Sequence, residues 1–160
     1  MGFTAAGISV DLVTVAQQAP LGFRLTVPTA NDGEQVYTYI KAAAAVAIGE
    51  AVMKGAGTGA SSGYGACVLA TQGALSPHRY VGCAQVAIAS GSHGFVLTRG
   101  VGLALVATTT SAGADLVIDG VAPGSLDDEA ADDDTFRVGY TPAAVGTTAA
   151  TATVFLDFLG

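Results

Sequence analysis

A chain of 160 residues fits one domain, or one domain with an extended arm. The hydrophobic fraction of 51% consists largely of 31 alanines, so large apolar side chains are sparse and we expect self-association or a partner surface to contribute to stability. The net charge of −7, with six scattered basic residues, argues against binding to nucleic acid or to an anionic membrane.

The N-terminal region is predicted to begin with strands. Residues 8–15 and 21–27 alternate apolar and polar side chains with the period of two that is typical of half-buried strands. The turn sequence Asn31-Asp32-Gly33 follows them. We therefore predict an N-terminal arm, or first strands, over residues 1–32 and a β-rich domain over residues 33–160.

Four apolar side chains of this arm are candidate partner contacts, and they are Phe3, Ile8, Leu12 and Phe23. An arm that carries them can add a strand to the sheet edge of a neighbouring subunit. The alternative is that they fill the core of this protein, and the sequence leaves both interpretations open.

The next segments differ in how clearly they predict strands. Residues 34–40 alternate regularly and predict a strand. Residues 41–54 contain an alanine run with high helix propensity, but Gly49 weakens a helix and the alternation of Val46 and Ile48 with alanines favours a strand. We prefer the strand for this segment.

Further strands are predicted at intervals of roughly 8–15 residues, separated by Gly-rich turns. This spacing predicts an all-β fold, either a β-sandwich or a β-barrel-like domain with an extended N-terminal arm. The predicted strands cover residues 65–71, 79–89, 94–107, 114–120, 135–141 and 151–159.

A weak internal repeat is visible in these strands. The phrase Val81-Gly82-Cys83-Ala84 is followed by a Gly-containing turn and an apolar strand. Val138-Gly139-Tyr140 is also followed by a Gly-containing turn and an apolar strand. A second pair is formed by residues 48–52 and 118–121. A duplicated half-barrel and chance similarity in a chain of simple composition both explain these echoes.

The sequence predicts no catalytic, cofactor-binding or metal site. Ser92-His93 does not match a nucleophile elbow, because Ser90 stands where a glycine is required, and we expect His93 to be an exposed residue at a hairpin tip. His78 is expected in a loop before a strand. We therefore expect a protein that is not an enzyme and needs no cofactor.

Two other features have alternative interpretations. The acidic run over residues 127–134 is expected to be a solvated loop, with a cation site as the alternative. Cys67 and Cys83 fit neither a redox motif nor a zinc site, and we expect two small buried apolar residues; whether they pair stays open.

The body of the chain resembles the decoration or cement proteins of bacteriophage heads. The resemblance covers roughly residues 34–160 and rests on phrases of Val, Gly and Ala such as Val81-Gly82-Cys83-Ala84 and Val138-Gly139-Tyr140. It implies a β-rich structural protein, commonly a homo-oligomer and often a trimer, on the outer capsid surface of a virion assembled in the host cytoplasm.

In such proteins the partner is the major capsid protein, whose lattice they stabilise, and the family offers no catalytic residues. Residues 1–32 have no match in the resemblance. Two alternatives stay open. One is a tail, fibre or other head-appendage protein. The other is a β-sandwich that binds carbohydrate or another small ligand through exposed tyrosines, with Tyr37, Tyr39, Tyr64, Tyr80 and Tyr140 as candidates.

Overall fold

The computed structural model describes residues 4–5, 7–30, 33–56, 62–72, 77–107, 110–128, 136–146 and 148–158. This part contains twelve β-strands and no α-helix, which confirms the predicted all-β class. The strands are β1 (Thr4–Ala5), β2 (Ile8–Ser9), β3 (Arg24–Pro28), β4 (Glu34–Lys41), β5 (Ala51–Ala56), β6 (Ser62–Leu69), β7 (Tyr80–Ala84), β8 (His93–Val106), β9 (Asp115–Ile118), β10 (Leu126–Asp128), β11 (Gly139–Tyr140) and β12 (Ala150–Asp157). No helix long and apolar enough to cross a membrane occurs in these described ranges.

Strands β8 to β12 form a closed five-stranded barrel, here named barrel 2. The second half of β8 pairs with β12, β12 with β11, β11 with β9, and β9 with β10, all antiparallel. The barrel closes where β10 meets β8 in parallel, at Leu126 and Val106. Closure leaves none of these five strands as a bare sheet edge.

The preceding strands repeat this order, and we name them barrel 1. β4 pairs with the first half of β8, β8 with β7, β7 with β5, and β5 with β6, again all antiparallel. β6 then returns to the end of β4 through the parallel bridge of Ala42 and Cys67. The two barrels therefore share the 14-residue strand β8.

Gly100 lies in β8 next to Arg99, the last residue of β8 that pairs with β4, and inside the part that pairs with β12. Gly100 has a φ of +111°, a conformation that side chains rarely adopt. An added Cβ would also lie 2.7 Å from the carbonyl oxygen of Glu34. The glycine thus permits both this backbone conformation and the close approach of β4.

Backbone hydrogen bonds recur at equivalent positions of the two barrels. The N–H of Gly49 donates to the carbonyl of Ala84 at 2.7 Å, and the N–H of Gly113 donates to that of Thr141 at 2.7 Å. Both glycines have positive φ in the turn before a strand. Three further donor–acceptor pairs match in the same way: Glu50–Ala47 with Ala114–Ser111, Ala84–Glu50 with Thr141–Ala114, and Ile88–Val46 with Val145–Thr110. The protein is a tandem repeat of one barrel topology.

The interiors of the barrels match position by position. Nine buried residues form the interior cluster of barrel 1, and the strand registers place a buried residue of barrel 2 at each equivalent position. The pairs are Ile40 and Ala104, Ala42 and Val106, Val46 and Thr110, Val52 and Leu116, Cys67 and Leu126, Val81 and Val138, Ala84 and Thr141, Ile88 and Val145, and Val96 and Val154. Larger residues at some positions offset smaller ones at others, which preserves the filled volume.

One of the two predicted internal echoes corresponds to this repeat. Val81-Gly82 and Val138-Gly139 occupy equivalent places, and each glycine lies against the backbone of the next strand, at Leu97 and Phe155 respectively. The second echo, between residues 48–52 and 118–121, is wrong, because the hydrogen bonds match Gly49 with Gly113.

The N-terminal segment lies on barrel 1. β3 pairs antiparallel with β4, so the strands on either side of the predicted boundary at residues 32 and 33 belong to one sheet. Thr14 and His93 exchange backbone hydrogen bonds of 3.0 and 2.7 Å. Val10 is buried in the same core cluster as Tyr39 of β4 and Phe95 of β8, so this segment covers part of barrel 1.

Two strand predictions are wrong, and a third, over residues 135–141, yields only the two-residue strand β11 in its described part. The segment 8–15 forms only β2 and the single bridge at Thr14, because β2 pairs with the two-residue strand β1 and Thr14 pairs only with the first residue of β8. The segment 41–54 is neither one strand nor a helix. β4 ends at Lys41, single bridges follow at Ala42 and Val46, and the Gly49 turn redirects the chain into β5.

Candidate interaction surface

His93 is part of the structural core, so its prediction as an exposed hairpin residue is wrong. It begins β8, is 6% exposed and stacks on Tyr39 with ring centroids 6.0 Å apart. Its Nδ1 lies 3.0 Å from the carbonyl oxygen of Val15. The ring therefore fastens the N-terminal segment to barrel 1. His78 lies in the short 3-10 turn before β7, as expected.

The acidic run is only partly within the described residues. Asp127 and Asp128 lie in β10, and the remaining acidic residues of the run lie outside the described ranges. Burial raises the pKa of Asp127, and the neighbouring charges of Asp128 and Asp119 raise it further. Asp119 is buried and accepts bonds of 2.7 Å from the N–H of Val121 and the hydroxyl of Ser125.

Within the described part of the chain, no group of three His, Cys, Asp or Glu side chains is arranged to hold a metal ion. The two cysteines are free and buried, on opposite sides of the barrel 1 strands. Cys67 lies in the interior cluster and Cys83 in the cluster that continues into barrel 2. Burial raises the pKa of the Cys67 thiol to about 12 and that of Cys83 still higher.

The five tyrosines considered for sugar stacking do not share an exposed face. Tyr37, Tyr39 and Tyr80 are buried. Tyr64 is half-buried, and the Nζ of Lys54 lies 4.7 Å above its ring. Tyr140 is the most exposed of the five, at 44%.

The candidate contacts of the N-terminal arm lie at separate points. Ile8 is half-buried against the main core cluster. Leu12 and Phe23 are 40% and 39% exposed, Leu12 just after β2 and Phe23 just before β3. Phe3 lies outside the described residues.

An exposed aromatic pair on barrel 2 was not identified from the sequence. Tyr140 on β11 and Phe155 on β12 are directly paired, and their rings stack with centroids 5.4 Å apart. Phe136, just before β11, is 42% exposed. The two-residue strand β11 is too short to show alternation, so the repeat with barrel 1 is the signal that locates this pair.

Charged residues flank the aromatic pair. An oxygen of Asp115, the partner of Tyr140 on β9, lies 2.8 Å from a guanidinium nitrogen of Arg137. Asp157 and Arg99 form a second, longer pair at 3.8 Å at the end of β12. An apolar centre with a charged rim is the usual composition of a protein-binding surface.

Comparisons with known proteins identify a similar fold. No protein-family model matches the chain, and no curated protein matches it. Among solved structures, the chain is similar to the N base of the head fibre gp8.5 of bacteriophage phi29, with 13% sequence identity and a TM-score of 0.54. The match covers 77% of this chain and 94% of that one. At this level of identity, the similarity is one of fold.

Proposed function

We propose that this protein is a structural component of a bacteriophage head that binds the outer surface of the capsid and stabilises the lattice of the major capsid protein. The observation that carries the proposal is the fold shared with the base of a phage head fibre over 94% of that chain. The resemblance of residues 34–160 to head decoration proteins is independent support, since it rests on sequence phrases alone.

The proposed role needs binding only and no catalysis. A protein that binds the assembled lattice and not its dissociated subunits stabilises the lattice by mass action, by about 2.7 kcal/mol per site at 100 times its dissociation constant. An oligomer that engages several capsid subunits binds more tightly through effective concentration. The tandem barrels offer two similar modules in one chain, which suits attachment at more than one point.

Particles with and without the protein test this role. We expect purified protein to bind particles that lack it and to raise the temperature at which they release DNA. A heat-denatured sample of the same protein is the control. Unchanged thermal and osmotic stability of saturated particles would contradict the stabilising role.

A head-appendage role is the second candidate, and the same fold similarity favours it, because the matched structure is the base of a fibre. In that role the barrels attach a projecting structure and do not reinforce the lattice. Electron microscopy with a labelled antibody separates the two. A decoration protein is present at many lattice positions, and an appendage is expected with an attached fibre or at a unique vertex.

A further inference from the structure

The two barrels bury their interiors equally but differ on their outer faces. The outer face of barrel 1 consists of six positions that alternate with its interior residues, and all six are buried: Tyr39, Ala51, Tyr80, Cys83, Phe95 and Leu97. The outer face of barrel 2 is defined here as the six equivalent residues, and all six are exposed or half-buried: Leu103, Asp115, Arg137, Tyr140, Thr153 and Phe155. One further outward position, Val117 on β9, is buried like its counterpart Met53.

The outer face of barrel 1 is buried because other parts of the same chain cover it. The side chain of Leu97 fills the space beside Gly102, in the half of β8 that belongs to barrel 2, where an added Cβ would collide with it. The hydroxyl of Tyr39 accepts a 2.9 Å hydrogen bond from the N–H of Gln18 in the N-terminal segment. Barrel 2 and the N-terminal segment together cover this face.

The outer face of barrel 2 has no such cover within the described residues, although its centre is apolar. Tyr140 is 44% exposed, whereas its counterpart Cys83 is fully buried. Phe155 is half-buried, whereas Leu97 is fully buried. Two large aromatic residues thus occupy the positions at which barrel 1 makes its contact with the rest of the chain.

We propose that the outer face of barrel 2 binds a second copy of this chain. A second copy is the expected binding partner because the equivalent face of barrel 1 already contacts parts of this same chain, namely barrel 2 and the N-terminal segment. The contact within the chain joins different surfaces, so the contact between copies is head-to-tail and not face-to-face. This proposal assigns a surface to the self-association assumed in the proposed function.

The polar rim fits an interface that forms between separately folded chains. Asp115 and Arg137 pair with each other, so the face carries no uncompensated charge at its centre. Barrel 1, whose face is buried during folding, has Ala51 and Tyr80 at the same positions. Barrel 2 thus carries a charged pair where barrel 1 carries apolar residues, and this pair keeps the face of barrel 2 soluble until a second copy binds.

Sedimentation of the purified full chain tests the proposal, with the double variant Tyr140→Ser/Phe155→Ser and the single variant Tyr140→Lys. We expect the wild type to self-associate between about 1 and 100 µM and both variants to weaken association by about tenfold or more. Ile48→Ser, which removes a large apolar side chain of similar exposure (45%) in the turn before β5, is the matched control and is expected to associate like the wild type. Thermal unfolding shows whether each variant is folded, and Tyr140→Lys changes only an exposed side chain.

A wild type that stays monomeric over this range would overturn the proposal, as would equal association of the wild type and both face variants. Binding of monomeric protein to capsids that requires Tyr140 would also overturn it and would assign the face to the capsid protein. Because the assay contains no capsid, its failure is distinct from failure of the proposed head function.

Discussion

Barrel 1 and barrel 2 have the same topology but fill their interiors with different residues. Cys67 and Leu126 occupy equivalent positions where each barrel closes, between β6 and the end of β4 in barrel 1 and between β10 and β8 in barrel 2. Both residues are fully buried. Ala42 and Val106, their bridge partners, differ in size in the same direction, and Ile40 and Ala104 differ in the opposite one. The comparison teaches that the topology constrains total interior volume and hydrogen bonding, and constrains identity at few positions.

On the outer faces, the residue type depends on whether a neighbouring segment covers the position. An outer position is apolar where a neighbouring segment covers it, as at Leu97, and mixed where nothing described covers it, as at Asp115 and Thr153. Sequence similarity between the repeats is therefore lost fastest on the outside. Among the positions that stay identical are Val81-Gly82 and Val138-Gly139, where backbone contact leaves no alternative to glycine.

The largest expected effect comes from emptying an interior position. We expect Leu126→Ala to lower the free energy of unfolding by about 2–5 kcal/mol, because it removes a fully buried side chain and leaves a cavity. Cys67→Ala, the same change at the equivalent position, removes less volume and is expected to cost about 1 kcal/mol. Urea unfolding monitored by circular dichroism measures both.

Both variants are expected to unfold in a single transition, because β8 belongs to both barrels and the main core cluster runs from Leu97 into Leu116. Two separate transitions, with only one shifted by each substitution, would show that the barrels fold independently and would contradict this view of the shared strand.

The matched glycines provide the second test. We expect Gly82→Ala and Gly139→Ala to destabilise the protein by similar amounts, about 1–3 kcal/mol each, because the new Cβ would collide with the backbone at Leu97 or Phe155. Gly146→Ala is the control, since its Cβ would meet no atom within 4 Å. Thermal unfolding of the three variants is the measurement, and a loss at only one of the matched glycines would break the equivalence of the repeats.

The sequence predicted the strands whose alternation extends over a long paired segment. The predictions over residues 34–40, 94–107 and 151–159 agree within two residues with β4, β8 and β12, because each of these strands is paired with a neighbouring strand along its whole length. The prediction over residues 8–15 failed because only one residue of that segment, Thr14, reaches a partner in β8.

Long-range contacts explain what the sequence could not show. The burial of His93 depends on Val15, which is 78 residues away in the chain. Closure of each barrel depends on one bridge, and a single bridge leaves no periodic pattern. The aromatic face of barrel 2 becomes recognisable only when Tyr140 is compared with the buried Cys83, a comparison that requires the register of the strands.

The smallest expected effect concerns the one strand that is apolar in barrel 1 and acidic in barrel 2. Val68 and Leu69 of β6 correspond to Asp127 and Asp128 of β10. Since burial raises the pKa of Asp127 in the folded protein, its ionisation disfavours folding, and the penalty is present above the raised pKa. It disappears below the ordinary value of 3.8, where the folded and unfolded forms both hold the proton.

We therefore expect Asp127→Asn to raise Tm slightly at pH 7 and to leave it unchanged near pH 3, as measured by scanning calorimetry at both pH values. An equal gain at both pH values would show that Asp127 destabilises β10 through its shape and not its charge, and the difference between the two barrels at this strand would then be one of packing.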